Sequence, residues 1–228
     1  MISDNLQVIP RDLEVNSEGL CHEMDLNSCQ YLKHFPWQEN YRFKNLVDDI
    51  NTLLDLTDDD LERIRIATIL TRRFLDNTPQ LAELCPPPDP EIRVSTECLY
   101  REANSRFRIN IFSWLPQHSN VHCHGSWSIV AFLGDATTGR ELNYFWRRED
   151  DGSIPEKAVV KPISKKMLEA GDIIGFTSDA IHNIKSLPSQ KIKENQSNKP
   201  TLMFNIFGED NPDSQLLFNP FDHTYKYY

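Results

Sequence analysis

Three histidines are the residues of this sequence best suited to chemistry, because two of them are separated by a single residue. His122 and His124 flank Cys123, and on a β-strand this spacing directs both imidazoles to the same face. Imidazole binds iron, copper, nickel and zinc. The pair could therefore supply two donors to one metal ion, although two histidines at this spacing also occur as ordinary surface or core residues.

The segment 171–182 predicts a third donor. It opens with a Gly-Asp pair, continues through apolar residues typical of a strand, and reaches His182 eleven positions after the glycine. This spacing resembles the second cupin motif, and residues 122–134, with His-x-His, an apolar strand and a glycine, resemble the first. The resemblance implies that His122, His124 and His182 bind one ion inside a cupin barrel.

The stretch after His124 decides which metal is expected. The cupin pattern usually has a glutamate there, whereas residues 125–129 read GSWSI and contain no carboxylate. Three neutral imidazoles on one side of an octahedral ion leave the other side open for a substrate and dioxygen, a variant of the facial triad of non-haem iron oxygenases. We expect one mononuclear Fe2+ with O2 as co-substrate, but nickel, manganese, copper and zinc fit the same spacing.

Two helices are predicted in the first part of the chain. Apolar residues recur at helical spacing over residues 41–54, which gives one apolar helix face. A second helix is expected over 58–76, capped by Thr57 and with acidic residues in its first turn. The proline-rich segment CPPPDPE at 85–91 cannot continue a helix, because proline lacks an amide donor.

Beyond the prolines the apolar period changes from helical to two, which is the period of a strand. The resulting fold class is mainly β, a cupin double-stranded β-helix barrel with an α-helical N-terminal extension. Residues 1–90 are expected to form the extension, packed on the barrel, and 91–228 the metal-binding domain. Strands are predicted at 107–112, 127–133, 142–147, 157–162, 172–176, 180–185 and 201–207, and an exposed polar loop at 191–199.

A closer resemblance extends over roughly residues 95–215. Trp114 and Pro116, then HCHGSWSIVAFLGD, GDIIGFTSDAIHNI and FNIFGED, are similar to the bacterial branch of the cysteine dioxygenase type I family. The family implies a three-histidine iron site on a cupin barrel that inserts both atoms of dioxygen into a small thiol and forms a sulfinate. The substrate thiolate would bind the iron, whose charge lowers the thiol pKa.

The sequence departs from this family on one strand. Where the family has Ser, His and Tyr at alternate positions, this chain has Met203, Asn205 and Phe207. Phe207 has no hydroxyl to hydrogen-bond near the iron, so a substrate other than free cysteine is possible, unless Tyr144 or another hydroxyl takes the place. The crosslinking cysteine of the animal enzymes also has no counterpart, so this crosslink is not expected.

Further candidate residues come from the needs of an amino-acid thiol. Its carboxylate would require a cation such as a guanidinium, and Arg101 corresponds best to the family's arginine, with Arg106 and Arg108 as alternatives. Aromatic residues of the strands either line the metal pocket or belong to the core, namely Tyr144, Trp127 and Phe176. His118 is either a proton relay or an exposed loop residue, and Cys123 either faces the site or packs as a buried thiol.

Bulk composition excludes several classes of protein. The net charge is -10 and no stretch concentrates lysine and arginine, so nucleic acid is not an expected partner. No apolar run is long enough for a membrane span, and the polar N-terminus is unlike a signal peptide. Five scattered cysteines suggest reduced thiols and, with the polar start, a cytoplasmic protein.

The sequence therefore predicts an iron-dependent dioxygenase acting on a small, cysteine-like or 3-mercaptopropionate-like thiol. Two alternatives remain open. One is an iron- and O2-dependent oxygenase for a different amino-acid-derived substrate in a biosynthetic pathway. The other is a cupin that binds a metal or small ligand without turnover, because a fold does not fix a function.

Overall fold

A computed structural model describes residues 9–189, 199–208 and 214–227 of the chain. Residues 191–198 of the predicted polar loop lie outside these ranges, so that loop stays a prediction. The helices are α1 (Phe43–Leu56) and α2 (Asp60–Asp76), with short 3-10 helices at Leu26–Ser28, Leu32–His34 and Pro79–Leu84. The strands are β1 (Asp12–Val15), β2 (Cys21–Glu23), β3 (Val94–Arg101), β4 (Phe107–Trp114), β5 (Val121–Cys123), β6 (Ser128–Leu133), β7 (Arg140–Arg148), β8 (Val160–Leu168), β9 (Ile173–Phe176), β10 (Ile181–Leu187), β11 (Thr201–Gly208), β12 (Leu216–Asn219) and β13 (Thr224–Tyr227).

The strand order is that of a double-stranded β-helix. Strands β4 to β11 form four nested antiparallel pairs, β7 with β8, β6 with β9, β5 with β10 and β4 with β11. The two sheets run β2-β1-β9-β6-β11-β4-β3 and β13-β12-β5-β10-β7-β8. A long hairpin folded across two sheets in this way is a jelly roll, the architecture of cupins, and it confirms the predicted fold class.

The first sheet is covered on both faces, which explains its apolar strands. On β4 the residues Phe107, Ile109 and Ile111 pack in a cluster with α1 and α2. The residues between them face the barrel interior, because successive side chains point to opposite sides of a sheet. Strand β6 follows the same rule and is buried along its whole length.

Both predicted helices are confirmed, but two details of them were wrong. Helix α2 is capped by Asp59, which accepts a hydrogen bond from the Glu62 amide at 2.8 Å. Thr57 instead accepts from the Asp59 amide at 3.1 Å, and so stabilises the turn before the helix. The packing of the two helices was expected to use Leu46, Ile50, Leu61 and Ile64 at helical spacing, and of these Leu61 is only half-buried, whereas the other three belong to the core.

The N-terminal region also contains strands, which the sequence did not predict. Strand β1 pairs in parallel with β9 and extends the first sheet. Helix α2 is tied to β1 because Arg65 donates to Glu14 at 2.7 Å and Arg72 to Asp12 at 2.6 Å. The helices are therefore one part of the region before residue 90, and the other part adds strands to the barrel sheet.

Candidate metal site

The three histidines come together through the pairing of β5 with β10. His122 on β5 lies directly opposite His182 on β10, a position that brings side chains on the same face into contact. His124 follows β5 at once, where Gly125 turns the chain with a φ of 67°. A Cβ at position 125 would lie 2.3 Å from the backbone of Ser214, so a larger residue would displace the loop that holds His124.

The ring nitrogens of these histidines converge on one point. One donor atom from each residue lies within 4.8 Å of the other two, and the Nε2 atoms of His124 and His182 are 3.1 Å apart. Adjacent donors on one ion, each at about 2.1 Å, would be separated by roughly this distance. The arrangement could therefore hold a single metal ion.

The opposite nitrogen of each ring is held by a second residue. The Nδ1 atom of His122 donates to the Asn120 carbonyl at 2.9 Å, and that of His182 donates to Asn143 Oδ1 at 3.1 Å. His124 Nδ1 lies 2.6 Å from Ser128 Oγ. Such contacts fix the ring orientation of metal-binding histidines and leave the Nε2 lone pair available, so the donor set fits a metal.

Burial also keeps these imidazoles neutral. It lowers the pKa of His124 to about 3, with smaller contributions from His122 and Arg108. Burial is likewise the main reason that the pKa of His182 is well below its usual value, and it lowers the pKa of His122. Because only the neutral ring offers a lone pair, all three are ready to bind a cation at neutral pH.

The site opens into a cavity of about 450 Å³ between the two sheets. This volume is typical of small-molecule sites. Most of its wall is apolar, with Phe112, Val130, Phe132, Ile174 and Met203 among the lining residues. Polar residues also line this wall, among them Arg108, Glu141, Asn143 and Asn205.

Met203, Asn205 and Phe207, the alternate residues on β11 singled out in the sequence, all line the cavity. The ring of Phe207 lies edge-on to His124 with centroids 5.2 Å apart. Phe176, which was either pocket or core, contacts His182 with centroids 4.4 Å apart. Phe207, which has no hydroxyl, therefore lies directly beside a candidate metal ligand.

Arg101 and Arg108 differ in their position relative to the cavity. Arg101 is exposed on the edge strand β3 and is not among the described residues that line the cavity. Its partner on β4 is Arg108. Arg108 does line the cavity, and its guanidinium lies 5.1 Å from the centroid of the Phe207 ring. Of the two, Arg108 lines the described cavity, and an anion-binding role for either residue stays a prediction.

Of the other candidates, Tyr144 and Trp127 do not line the cavity, whereas Cys123 and His118 do. Tyr144 does not line it, because Asn143 and Phe145 on either side face the barrel interior and Tyr144 therefore faces outward. Trp127 is buried in the cluster beneath the helices. Cys123 is buried with Ile181 and Phe218, as expected of a packed thiol, and it also borders the cavity. His118 is exposed, at the cavity mouth.

Sequence reasoning missed the polar residues on β7. Glu141 and Asn143 face the cavity two residues apart, and the predicted strand began one residue after Glu141. The alternation of side chains along this strand would have placed both on one face. No signal showed that this face points inward, because the opposite face, with Leu142, Tyr144 and Trp146, is the more apolar of the two.

Comparisons with known proteins give distant matches. No family model and no curated protein matches the chain. Among solved structures, it is similar to an oxalate oxidase in complex with glycolate (12% identity, 57% of this chain and 58% of that chain, TM-score 0.38) and to oxalate decarboxylase from Bacillus subtilis (12%, 54% and 27%, TM-score 0.35). A hydroquinone 1,2-dioxygenase in complex with Cd2+ and 4-hydroxybenzonitrile matches at 9% identity over 57% of this chain and 69% of that chain, with a TM-score of 0.36.

The chain spans less than two thirds of the oxalate oxidase and oxalate decarboxylase chains that it matches. Likenesses this distant carry no argument about activity, so the function rests on the site itself. Within the described ranges, no helix is both long and apolar enough to cross a membrane.

Proposed function

We propose that this protein is an iron-dependent oxygenase that uses O2 to convert a small thiol, similar to cysteine or 3-mercaptopropionate, into a sulfinate. One observation carries the proposal: three neutral imidazoles converge on a cavity while their Nδ1 atoms are held by other residues. This ligand set lacks a carboxylate and leaves one side of an octahedral ion open. The resemblance to the cysteine dioxygenase type I family supports the thiol as substrate.

The reaction is balanced without a further oxidant. A thiol RSH and O2 give RSO2H, in which two S–O bonds replace the O–O bond and the electrons that sulfur loses are those that dioxygen gains. Bound iron would supply the redox chemistry for this step and lower the thiol pKa. The protein itself would orient the substrate and exclude water.

Arg108 is the residue that we expect to bind an anionic group of the substrate. It lines the cavity and lies opposite Phe207 in the pairing of β4 with β11. Phe207 lies opposite Ser128 of β6, and the Ser128 hydroxyl contacts His124. A guanidinium at this position can bind a carboxylate through two charge-assisted hydrogen bonds. Phe176 and Phe207 flank the histidines and would keep the thiolate in an apolar environment.

A second candidate function keeps the iron and dioxygen but changes the substrate to another amino-acid-derived molecule. The observation that favours it is the cavity wall beside His124, where Phe207 offers no hydroxyl. Binding of a ligand without turnover is the third alternative, and the same experiment separates all of them.

Oxygen uptake by the iron-loaded protein tests the proposal. We expect uptake with at least one of cysteine, cysteamine and 3-mercaptopropionate, sulfinate as the product, and loss of uptake in His182→Ala. His34→Ala, which removes an exposed histidine far from the site, serves as the control and should behave as wild type. Uptake only with substrates that lack a thiol would support the second function. Bound iron without uptake on any of these would overturn the oxygenase proposal.

A further inference from the structure

Glu141 is a buried carboxylate that the proposed reaction does not use. It lines the metal cavity and is 1% exposed. Its Oε2 atom accepts one long hydrogen bond, 3.4 Å, from Asn143 Nδ2, and its Oε1 atom has no partner among the described residues. Ser186 lies directly opposite on β10, but its hydroxyl is paired with Thr201 at 3.1 Å. The carboxylate therefore lacks the donors that a group so buried requires.

Asn205 adds a second acceptor to the same cavity. It is 6% exposed, lines the cavity wall, and its Oδ1 atom has no hydrogen-bond partner among the described residues. An acceptor without a donor, as at Glu141, suits a ligand group that only donates. An ammonium group offers three donors and no acceptor, and its charge would also neutralise the buried carboxylate.

Glu141 lines the same cavity as the histidines and is separated from them by Asn143. On β7 its backbone is four residues, about 13 Å, from that of Phe145, which pairs with His182, but the side chains of Glu141 and His182 lie closer than this. Asn143 bridges them, since it accepts from His182 Nδ1 and donates to Glu141. Arg108, the only cation among the described cavity-lining residues apart from the histidines, is at the level of His124.

We propose that Glu141 forms a second binding site, in the buried wall of the metal cavity, for a primary ammonium group on a ligand whose other end binds the metal. The site would select substrates with a metal-binding head and an amine tail, longer than cysteine. This inference rests on the proposed function only in taking a bound metal as the anchor of the head group.

Binding measurements with a series of linear aminothiols test the proposal. Each aminothiol is compared with the alkanethiol of the same length, by calorimetry without oxygen on the iron-loaded protein. We expect the ammonium group to increase affinity at the chain length that reaches Glu141, by roughly ten- to a hundredfold, as for a hydrogen bond between charged groups. Shorter aminothiols should bind like their alkanethiol counterparts.

Glu141→Gln is the matched variant, because it keeps the shape of the side chain and removes the charge. It should abolish the advantage of the ammonium group and leave alkanethiol binding unchanged. Glu97→Gln removes a carboxylate from the exposed face of β3 and should keep the wild-type preference. Thermal unfolding of both variants checks that they are folded.

The proposal is overturned if wild type shows no ammonium preference at any length, if Glu141→Gln retains that preference, or if no aminothiol binds. Oxygen uptake by the same samples tests the proposed function separately. A length-dependent ammonium preference without oxygen uptake would contradict the oxygenase and leave the Glu141 site standing. Oxygen uptake with short thiols but no ammonium preference would support the oxygenase and overturn the Glu141 site.

Discussion

Replacing Glu141 by Gln should change how the stability of the protein depends on pH. Burial raises the pKa of Glu141 from 4.5 to about 7, and the hydrogen bond from Asn143 offsets only part of this effect. Below pH 4.5 the carboxyl is protonated in both the folded and the unfolded chain and has no effect. As the pH rises towards 7, the unfolded chain releases its proton first, so the folded state loses stability over this range.

The size of this loss follows from the pKa shift. Each unit of pKa corresponds to about 1.4 kcal/mol, so the buried carboxylate should lower the free energy of unfolding by about 3 kcal/mol between about pH 4.5 and about pH 8. Glutamine does not titrate, so the variant should not lose this stability as the pH rises. The free energy of unfolding of Glu141→Gln, relative to wild type, should therefore rise by this amount over the same range.

Denaturant unfolding of the metal-free protein at several pH values measures this difference directly. Other titrating groups are common to both proteins and cancel in the comparison. Glu97→Gln, which removes an exposed carboxylate, should track wild type. A difference between Glu141→Gln and wild type that stays constant with pH would show that Glu141 has an ordinary pKa and that our description of its environment is wrong.

Three further predictions concern the site and the N-terminal region. Asn143→Leu should weaken metal affinity by about 10- to 100-fold in a metal titration, because His182 loses the acceptor of its Nδ1 proton, and unchanged affinity would contradict this role. Phe207→Tyr should raise kcat/KM for cysteine by roughly ten- to a hundredfold through a new hydrogen bond, and an unchanged value would mean that position 207 is ordinary packing. Deletion of residues 1–85 should cause aggregation, visible by light scattering, because it exposes the apolar face of β4 and β6, whereas a soluble, active fragment would contradict this.

The fold was predictable where the pattern of apolar residues was strong. The three-turn apolar face of α1 and the long strand runs of β4, β6 and β11 indicated their elements correctly. Strand β1 was missed because it has only four residues, and it is held in place by pairing with β9 and by ion pairs with α2. Such contacts join residues far apart in the chain and leave no local pattern. Strand β8 was predicted at 157–162 but covers Val160–Leu168, because its lysines on an exposed edge hide the alternation.

The candidate site was predictable as far as it depended on spacing within one strand. The His-x-His pair and the glycine-to-histidine interval correctly grouped three residues. Arg101 and Arg108 are direct partners on β3 and β4 and so share a face of the sheet, and what separates them is that β3 is the edge strand, which the sequence did not indicate. Predicting that Glu141 and Asn143 line the cavity required the register of β7 against β10. That register joins two segments distant in the chain and cannot be seen in either segment alone.

The iron content of the purified protein tests the central claim most directly. After loading with Fe2+ under anaerobic conditions and removal of free metal, we predict one iron per chain in wild type and in His34→Ala. His182→Ala should retain little iron, because two neutral ligands hold a divalent ion poorly. Iron content that is the same in His182→Ala as in wild type would contradict the three-histidine site and with it the proposed function.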